Sequence, residues 1–568
     1  MKHVELKFED YKYKVPNEKV LSKKLEALLV QLKECKDFAS ARPIIKKWNK
    51  LAEDIYTDFS IIYVKYSCDT TNEDYVKAQE RCDEVSPILS KYSNEYMKII
   101  TSAPYRKDFE KAFGSYLLEM YDSQLKAFDE KIIPDLIEEN KLSSAYDRIR
   151  GSAKIEFRGE TYNLSQMGKF TTDVDRQTRK EAAIACDKWW GEHEQEIGEL
   201  YDKLVHLRDG MAKKLGYENF TDLGYIRLGR TDYKSVDVEG YRKQIAKEVV
   251  PVAQKLYKDQ MKRLGIRRPQ YYDYSLVFAS GNPKPAGDEA YLVNVAKDMY
   301  TSLGKEGEEF FNYMVRNQLM DLSARQGKAP GGYCTSFPKY GAPFIFSNFN
   351  GTEGDVNVLT HEGGHAFQAY LSSAIKVQEY RSPTLEACEI HSMSMEFFAY
   401  PFLEKFFGKD AEKYKYSHIT DAIKFLPYGI TIDEFQHWVY ANPNATHAER
   451  CAKYREIESK YTPHKKYDDC PTLNHGGWWM KQGHVFGTPF YYIDYTLAQV
   501  VAFQFANEMN KNHDRAWKKY VKLCKFGGRA PFQALLKANN LRNPFVDGNV
   551  KKAIAPLKRL LKTISVEE

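Results

Sequence analysis

His361-Glu362-Gly363-Gly364-His365 is the stretch of this chain whose residue types and spacing can do chemistry. Two histidines four apart share one face of a helix, one turn apart. Neutral imidazoles so placed can both bind one Zn2+ through ring nitrogens. Glu362 projects beside them and can take a proton from a water that the metal activates, which is the mechanics of the H-E-x-x-H pattern of zinc peptidases. At this His and Glu content a chance match arises on the order of once in fifty chains of this length, so the surrounding sequence has to decide.

The elements around the motif favour chemistry. Thr352 and Asp355 form a T-x-x-D helix-start signal. Val356, Val358 and Leu359 before the motif, and Phe367, Tyr370 and Leu371 after it, predict a helix near 352–373. Gly363 and Gly364 are poor helix formers, which points to close approach of another backbone or a ligand to this face. A third metal ligand has to come from elsewhere. The segment near 385–404 predicts a second helix on which Glu386, Glu389 and Glu396 lie roughly on one face. One of these acids can ligate and others can accept the second ring N–H of a ligand histidine. By geometry alone Glu386, Glu389 and His391 all stay open. Ahead of the motif, residues 332–337 and 342–349 read as short strands joined through 338–341. Pro343 places the second strand at an edge or limits it at its start, and a free edge near Ala342–Asn348 can hold a peptide backbone. Gly331-Gly332 and Gly476-Gly477 read as flexible rims or plain turns.

The remainder of the chain bounds the setting. The 568 residues carry 84 Lys+Arg against 78 Asp+Glu, with 43% hydrophobic residues. That is enough to bury a core, and with no dense basic tract it disfavours nucleic-acid binding. The charged start, Met1 to Asp10, shows no secretory signal, and no apolar run is long enough to span a membrane. Nine cysteines without a C-x-x-C pair fit reduced, structural thiols, so the expected location is cytoplasmic. Residues 18–140 read as successive amphipathic helices, with Val20, Leu21, Leu25, Leu28, Leu29 and Leu32 at helical spacing and a further stripe from Glu110 to Phe128. Pro134 marks a helix start, Gly159 the turn of a hairpin over 155–164, and Gly216 a helix C-cap. The expected organisation is an N-terminal helical lobe over 1–200 and a catalytic domain over 201–568.

Three stretches make the chain resemble the oligoendopeptidase F family, relatives of thimet oligopeptidase and neurolysin: Phe344 through Gln368, Glu389-Ile390-His391-Ser392-Met393-Ser394-Met395-Glu396-Phe397-Phe398, and His484 through Tyr495. The resemblance is good over the last two thirds and rests on helical character in the first. It implies a mainly α fold: a zincin-like core with a small β-sheet inside a large helical ellipsoid with a deep channel. It implies one Zn2+ per chain on His361, His365 and Glu389, with Glu362 as general base. It also implies a catalytic-side His484 with tyrosines among Tyr491, Tyr492 and Tyr495, whose donors can stabilise an oxyanion. The implied activity is endopeptidase cleavage of short peptides, with neither nucleic acid nor membrane as partner. A related metallo-carboxypeptidase, or a peptide-binding protein with a non-catalytic zinc, are the alternatives. The first would need a basic group for a free terminus that the sequence does not single out; the second leaves Glu362 without a use.

Overall fold

A computed structural model describes residues 3–566; Met1 and Lys2, part of the charged start, lie outside the described residues. The molecule is mainly helical, with a two-stranded hairpin and one three-stranded sheet. The hairpin pairs Ile155–Phe157 with Glu160–Tyr162, and Arg158 and Gly159 both take positive φ at its two-residue turn. No helix among the described residues is long and apolar enough to cross a membrane.

The N-terminal arm is built from long helices, Glu18–Glu34, Phe38–Cys68 and Glu73–Ser102, capped by Asn17, Asp37 and Asn72 side chains. Leu25, Leu29 and Leu32 from the expected stripe are buried, whereas Val20 is exposed. The expected helix over Glu110–Phe128 is broken: Arg106–Phe113 and Ser115–Gln124 meet at Gly114, whose φ of 95° ends the first. The arm is fastened to the segment after the H-E-x-x-H helix. Ile375 and Tyr380 sit in the arm's own apolar cluster, Tyr380 Oη accepts the Leu117 N–H, and Arg381 pairs with Glu53 at 2.8 Å. Position 200 falls within the helix Glu194–Lys214, whose Ile197, Tyr201 and Leu204 belong to the large core that also holds the site helices. Pro134 opens the helix Ile133–Gly151, and Gly216, at φ 88°, follows the helix that ends at Lys214.

The three-stranded sheet corrects one expectation. Ala342–Phe349 is its central strand, parallel to Met320–Ser323 and antiparallel to Tyr333–Phe337. Pro343 is tolerated because it sits at the start, opposite Ser336 beside the turn. The edge nearest the site is therefore Tyr333–Phe337. Its approach is pinned, since the Asn348 side chain donates to Ala329 O and Gly331 O, both at 2.8 Å. So Gly331-Gly332 is a held turn.

Candidate active site

Two helices build the site. The first, Gly354–Ser372, carries His361, Glu362 and His365. Asp355, in its first turn, holds the preceding loop by accepting the Asn350 and Gly351 N–H groups, at 2.9 and 2.8 Å. Thr352, the other half of the start signal, bonds Asn350 instead. The second helix, Leu385–Phe398, carries Glu389 and Glu396; it stops before Pro401, short of the expected 404, and continues as separate short turns. The two cross at Gly364, where a Cβ would lie 2.6 Å from His391 O and 2.7 Å from Ser392 Cα. At Gly363 it would lie 2.5 Å from the Tyr300 hydroxyl. The paired glycines thus serve close approach, of a backbone at one position and a buried phenol at the other.

That crossing brings the donors together. Glu389 Oε2 lies 3.2 Å from His361 Nε2 and 3.4 Å from His365 Nε2. All three ligand atoms fall within 4.8 Å of one another. Bonds of 2.0–2.2 Å in a tetrahedral site place ligand atoms roughly 3.3–3.6 Å apart, so this donor set fits a small divalent cation. Electrostatics agree. Burial opposes a charged His361, yet hydrogen bonds to Glu389 and Glu396 hold its imidazole well above the ordinary range. Burial also opposes a charged Glu389, yet His365 and His361 bring that carboxyl well below its ordinary range. The point where the three meet favours positive charge.

Supporting contacts hold His361 and Glu389. Glu396 accepts from His361 Nδ1 at 2.6 Å and from His418 Nε2 at 2.7 Å, and Tyr400 Oη bonds His418 Nδ1 at 2.7 Å. The Tyr491 hydroxyl donates to Glu389 Oε1 at 2.5 Å, and the Ser392 hydroxyl to Glu389 Oε2 at 2.9 Å. Glu362 is buried with Oε2 unpartnered, and burial raises its carboxyl pKa. Gly332 lies against it: a Cβ there would be 3.8 Å from Glu362 Oε1. His484 Nδ1 accepts from the Gln482 amide at 2.7 Å, leaving its proton on Nε2, 3.1 Å from the Tyr495 hydroxyl. Burial lowers this imidazole to about 4, so it is neutral at pH 7.

Residues 8–128 match the Peptidase M3 N-terminal domain and residues 170–553 match Peptidase family M3. The chain belongs to peptidase family M3. It is similar to an X-ray structure provisionally named oligoendopeptidase F, at 45% identity and TM-score 0.97 over 99% of both chains. PZ peptidase A with an inhibitor matches at 45% identity and TM-score 0.96, over 98% of this chain and 100% of that one. A Bacillus anthracis protein, likewise provisionally named oligoendopeptidase F, matches at 43% identity and TM-score 0.92 over 99% of both. No curated protein matches. As an M3 peptidase the protein is a metalloendopeptidase, with the mainly α fold and small sheet expected, and family M3 implies a metal cofactor.

Within this M3 site the three open candidates separate. Glu389 meets both histidines. Glu386 is outside the converging group, with both carboxylate oxygens buried and unpartnered, and His391 is likewise outside it and buried with neither ring nitrogen bonded. Tyr491 touches Glu389 and Tyr495 touches His484. Tyr492 packs edge-on against Phe425 and Tyr428 and, with Tyr495 and His484, borders a cavity of about 410 Å³. Sequence reasoning missed His418 and Gln482, each of which acts only by holding another side chain. His418 sits within Ala411–Ala441, and Gln482 directly before the short helix Gly483–Gly487, with no spacing signal linking them to the motif.

Proposed function

We propose that the protein hydrolyses internal bonds of short, unstructured peptides, using one Zn2+ held by His361, His365 and Glu389. The observation that carries this reading is the convergence of those donors beside a buried, unpartnered Glu362 oxygen. Bound there, Zn2+ supplies Lewis-acid polarisation of the scissile carbonyl and acidifies a water. Glu362 takes the proton of the attacking water and later hands it to the leaving amine; its raised pKa suits it to hold that proton in between. Neutral His484, oriented by Gln482, offers Nε2–H on the side where Tyr495 and Tyr491 present hydroxyls. His484 and Tyr495 are the donors for the oxygen that gains charge at the tetrahedral stage, while Tyr491 gives its proton to Glu389. Tyr492 shapes the adjoining cavity. The free edge of Tyr333–Phe337, beside Glu362, is where a substrate backbone adds as a strand.

The test is Glu362→Gln. The variant keeps its zinc by metal analysis and loses at least about two orders of magnitude in kcat/KM on an internally quenched peptide; unchanged turnover would exclude the assigned role. Product mapping on peptides blocked at both ends separates this reading from a carboxypeptidase, which would cut none of them.

A further inference from the structure

A second group of donors lies at the margin of the large core, where only Cys451 is buried, and is formed by residues the proposed peptidase chemistry does not use. Glu194 opens the helix Glu194–Lys214, His447 and Cys451 stand one turn apart on the helix His447–Tyr461, and His475 follows the short turn Pro471–Asn474. Glu194 Oε1 lies 2.8 Å from His447 Nε2 and 2.7 Å from His475 Nε2, and Cys451 Sγ lies 3.4 Å from His447 Nε2. The carboxylate, the imidazole of His447 and the thiol have their ligand atoms within 4.8 Å of one another. From these contacts we infer that Glu194, His447 and Cys451 form a second metal site, one for Zn2+, with His475 holding the Glu194 carboxylate in place.

The donor chemistry favours a borderline-soft dication over Mg2+ or Ca2+, because a thiolate and an imidazole outnumber the single carboxylate. The spacing His-x-x-x-Cys aims two ligands from one helical face. For a tetrahedral ion with bonds of about 2.05 Å to nitrogen and 2.3 Å to sulfur, the N to S separation is roughly 3.5 Å, against the 3.4 Å found between His447 and Cys451. The carboxylate has to withdraw by about 0.6 Å to reach the N to O separation of such a site, a small movement for a half-buried side chain at a helix start. The surrounding backbone is shaped to hold this geometry. At Gly198 a Cβ would sit 2.6 Å from His447 Nδ1, so only glycine admits the ring. At Gly476, in the left-handed region at φ 111°, a Cβ would sit 1.9 Å from Cys451 O, which presses the His475 turn onto the Cys451 helix. Cys451 is buried, while His475 is exposed enough to give an ion a way in. The site ties the Glu194 helix to the His447 helix, 253 residues away in sequence.

The test uses the full-length protein. Metal analysis after exposure to zinc is expected to give about two zinc per chain, falling to about one in Cys451→Ser. Cobalt loading is expected to give a thiolate-to-cobalt charge-transfer band that Cys451→Ser removes and His361→Ala leaves in place. Because the His361, His365 and Glu389 group contains no thiolate, this band reads the second site even if the first reading is wrong. His475→Ala, a milder change at an accessible position, is expected to weaken cobalt binding by about tenfold or more. Peptide turnover of the zinc-replete Cys451→Ser variant is expected to stay within about twofold of the parent. No charge-transfer band, or a band of equal strength in Cys451→Ser, would overturn the assignment.

Discussion

Gly364→Ala puts the crossing of the two site helices under direct strain. The new Cβ would start 2.6 Å from His391 O and 2.7 Å from Ser392 Cα. Relaxing the first contact to an ordinary 3.4 Å opens the crossing by about 0.8 Å. Both blocking atoms are backbone, so no side chain can swing away to relieve the contact. Glu389 and His361 sit on opposite sides of that crossing, 3.2 Å apart, and the opening moves one relative to the other by a comparable amount. A misplacement of this size costs on the order of 100-fold in rate. Overpacking costs about 1–3 kcal/mol, and alanine returns about 1 kcal/mol of helix propensity. The variant should therefore fold, with a thermal midpoint lowered by a few degrees, while kcat/KM falls about 100-fold and zinc is lost to a chelator far sooner. Gly363→Ala is the internal control. It is blocked by the Tyr300 hydroxyl at 2.5 Å, so the double change Gly363→Ala, Tyr300→Phe should restore most of what Gly363→Ala loses. Wild-type kcat/KM in Gly364→Ala would refute the view that the crossing sets the ligand geometry.

Three further changes examine the site and its support. Glu389→Ala should release zinc to a chelator far faster than Glu386→Ala, because only Glu389 reaches both histidines; equal release would mean the wrong acid has been assigned. Glu396→Gln should weaken zinc affinity by about 10–100-fold while leaving the three ligands in place, as measured by competition with a chromophoric chelator; unaltered affinity would deny Glu396 its part in orienting His361. Glu139→Gln tests acid stability: burial opposes the charge of Glu139, but Arg227 and Arg208 bring its pKa down to about 2 from an ordinary 4.5. A folded pKa below the unfolded one gives stability that is present above about pH 4.5 and fades as pH falls toward 2, on the order of 3 kcal/mol at neutral pH. The thermal midpoint of Glu139→Gln should thus lie below the parent's at pH 7, with the gap closing on acidification; a gap independent of pH would contradict this.

Local signals made much of the molecule legible. The motif helix and its two glycines could be read because periodicity and low helix propensity are properties of neighbours in sequence. The hairpin turn at Gly159 and the helix start at Pro134 follow from backbone restrictions of single residues. Glu389, by contrast, was one of three open candidates on residue pattern alone. Its selection depends on a helix crossing that no spacing encodes, and the family resemblance supplied what geometry did not. The position of the strand Ala342–Phe349 was misjudged for the same reason: a proline near a strand start allows an edge or a centre, and the parallel partner Met320–Ser323 comes from well upstream. The break at Gly114 went unread because its flanks keep an apolar stripe in register. His418 and Gln482 act on already placed side chains, and Glu194 meets His447 across 253 residues of sequence, where pattern carries no information.

The fastening of the N-terminal arm has a bearing on how the molecule can be divided. Tyr380 and Arg381 belong by sequence to the link between the two site helices, yet their partners Leu117 and Glu53 lie on the arm. Cutting the chain after residue 128 would leave a phenol, an apolar side chain and a guanidinium facing water at the link between the two site helices. The arm is thus one wall of the loop that joins the two site helices, and a fragment lacking it would be a poor stand-in for the whole protein.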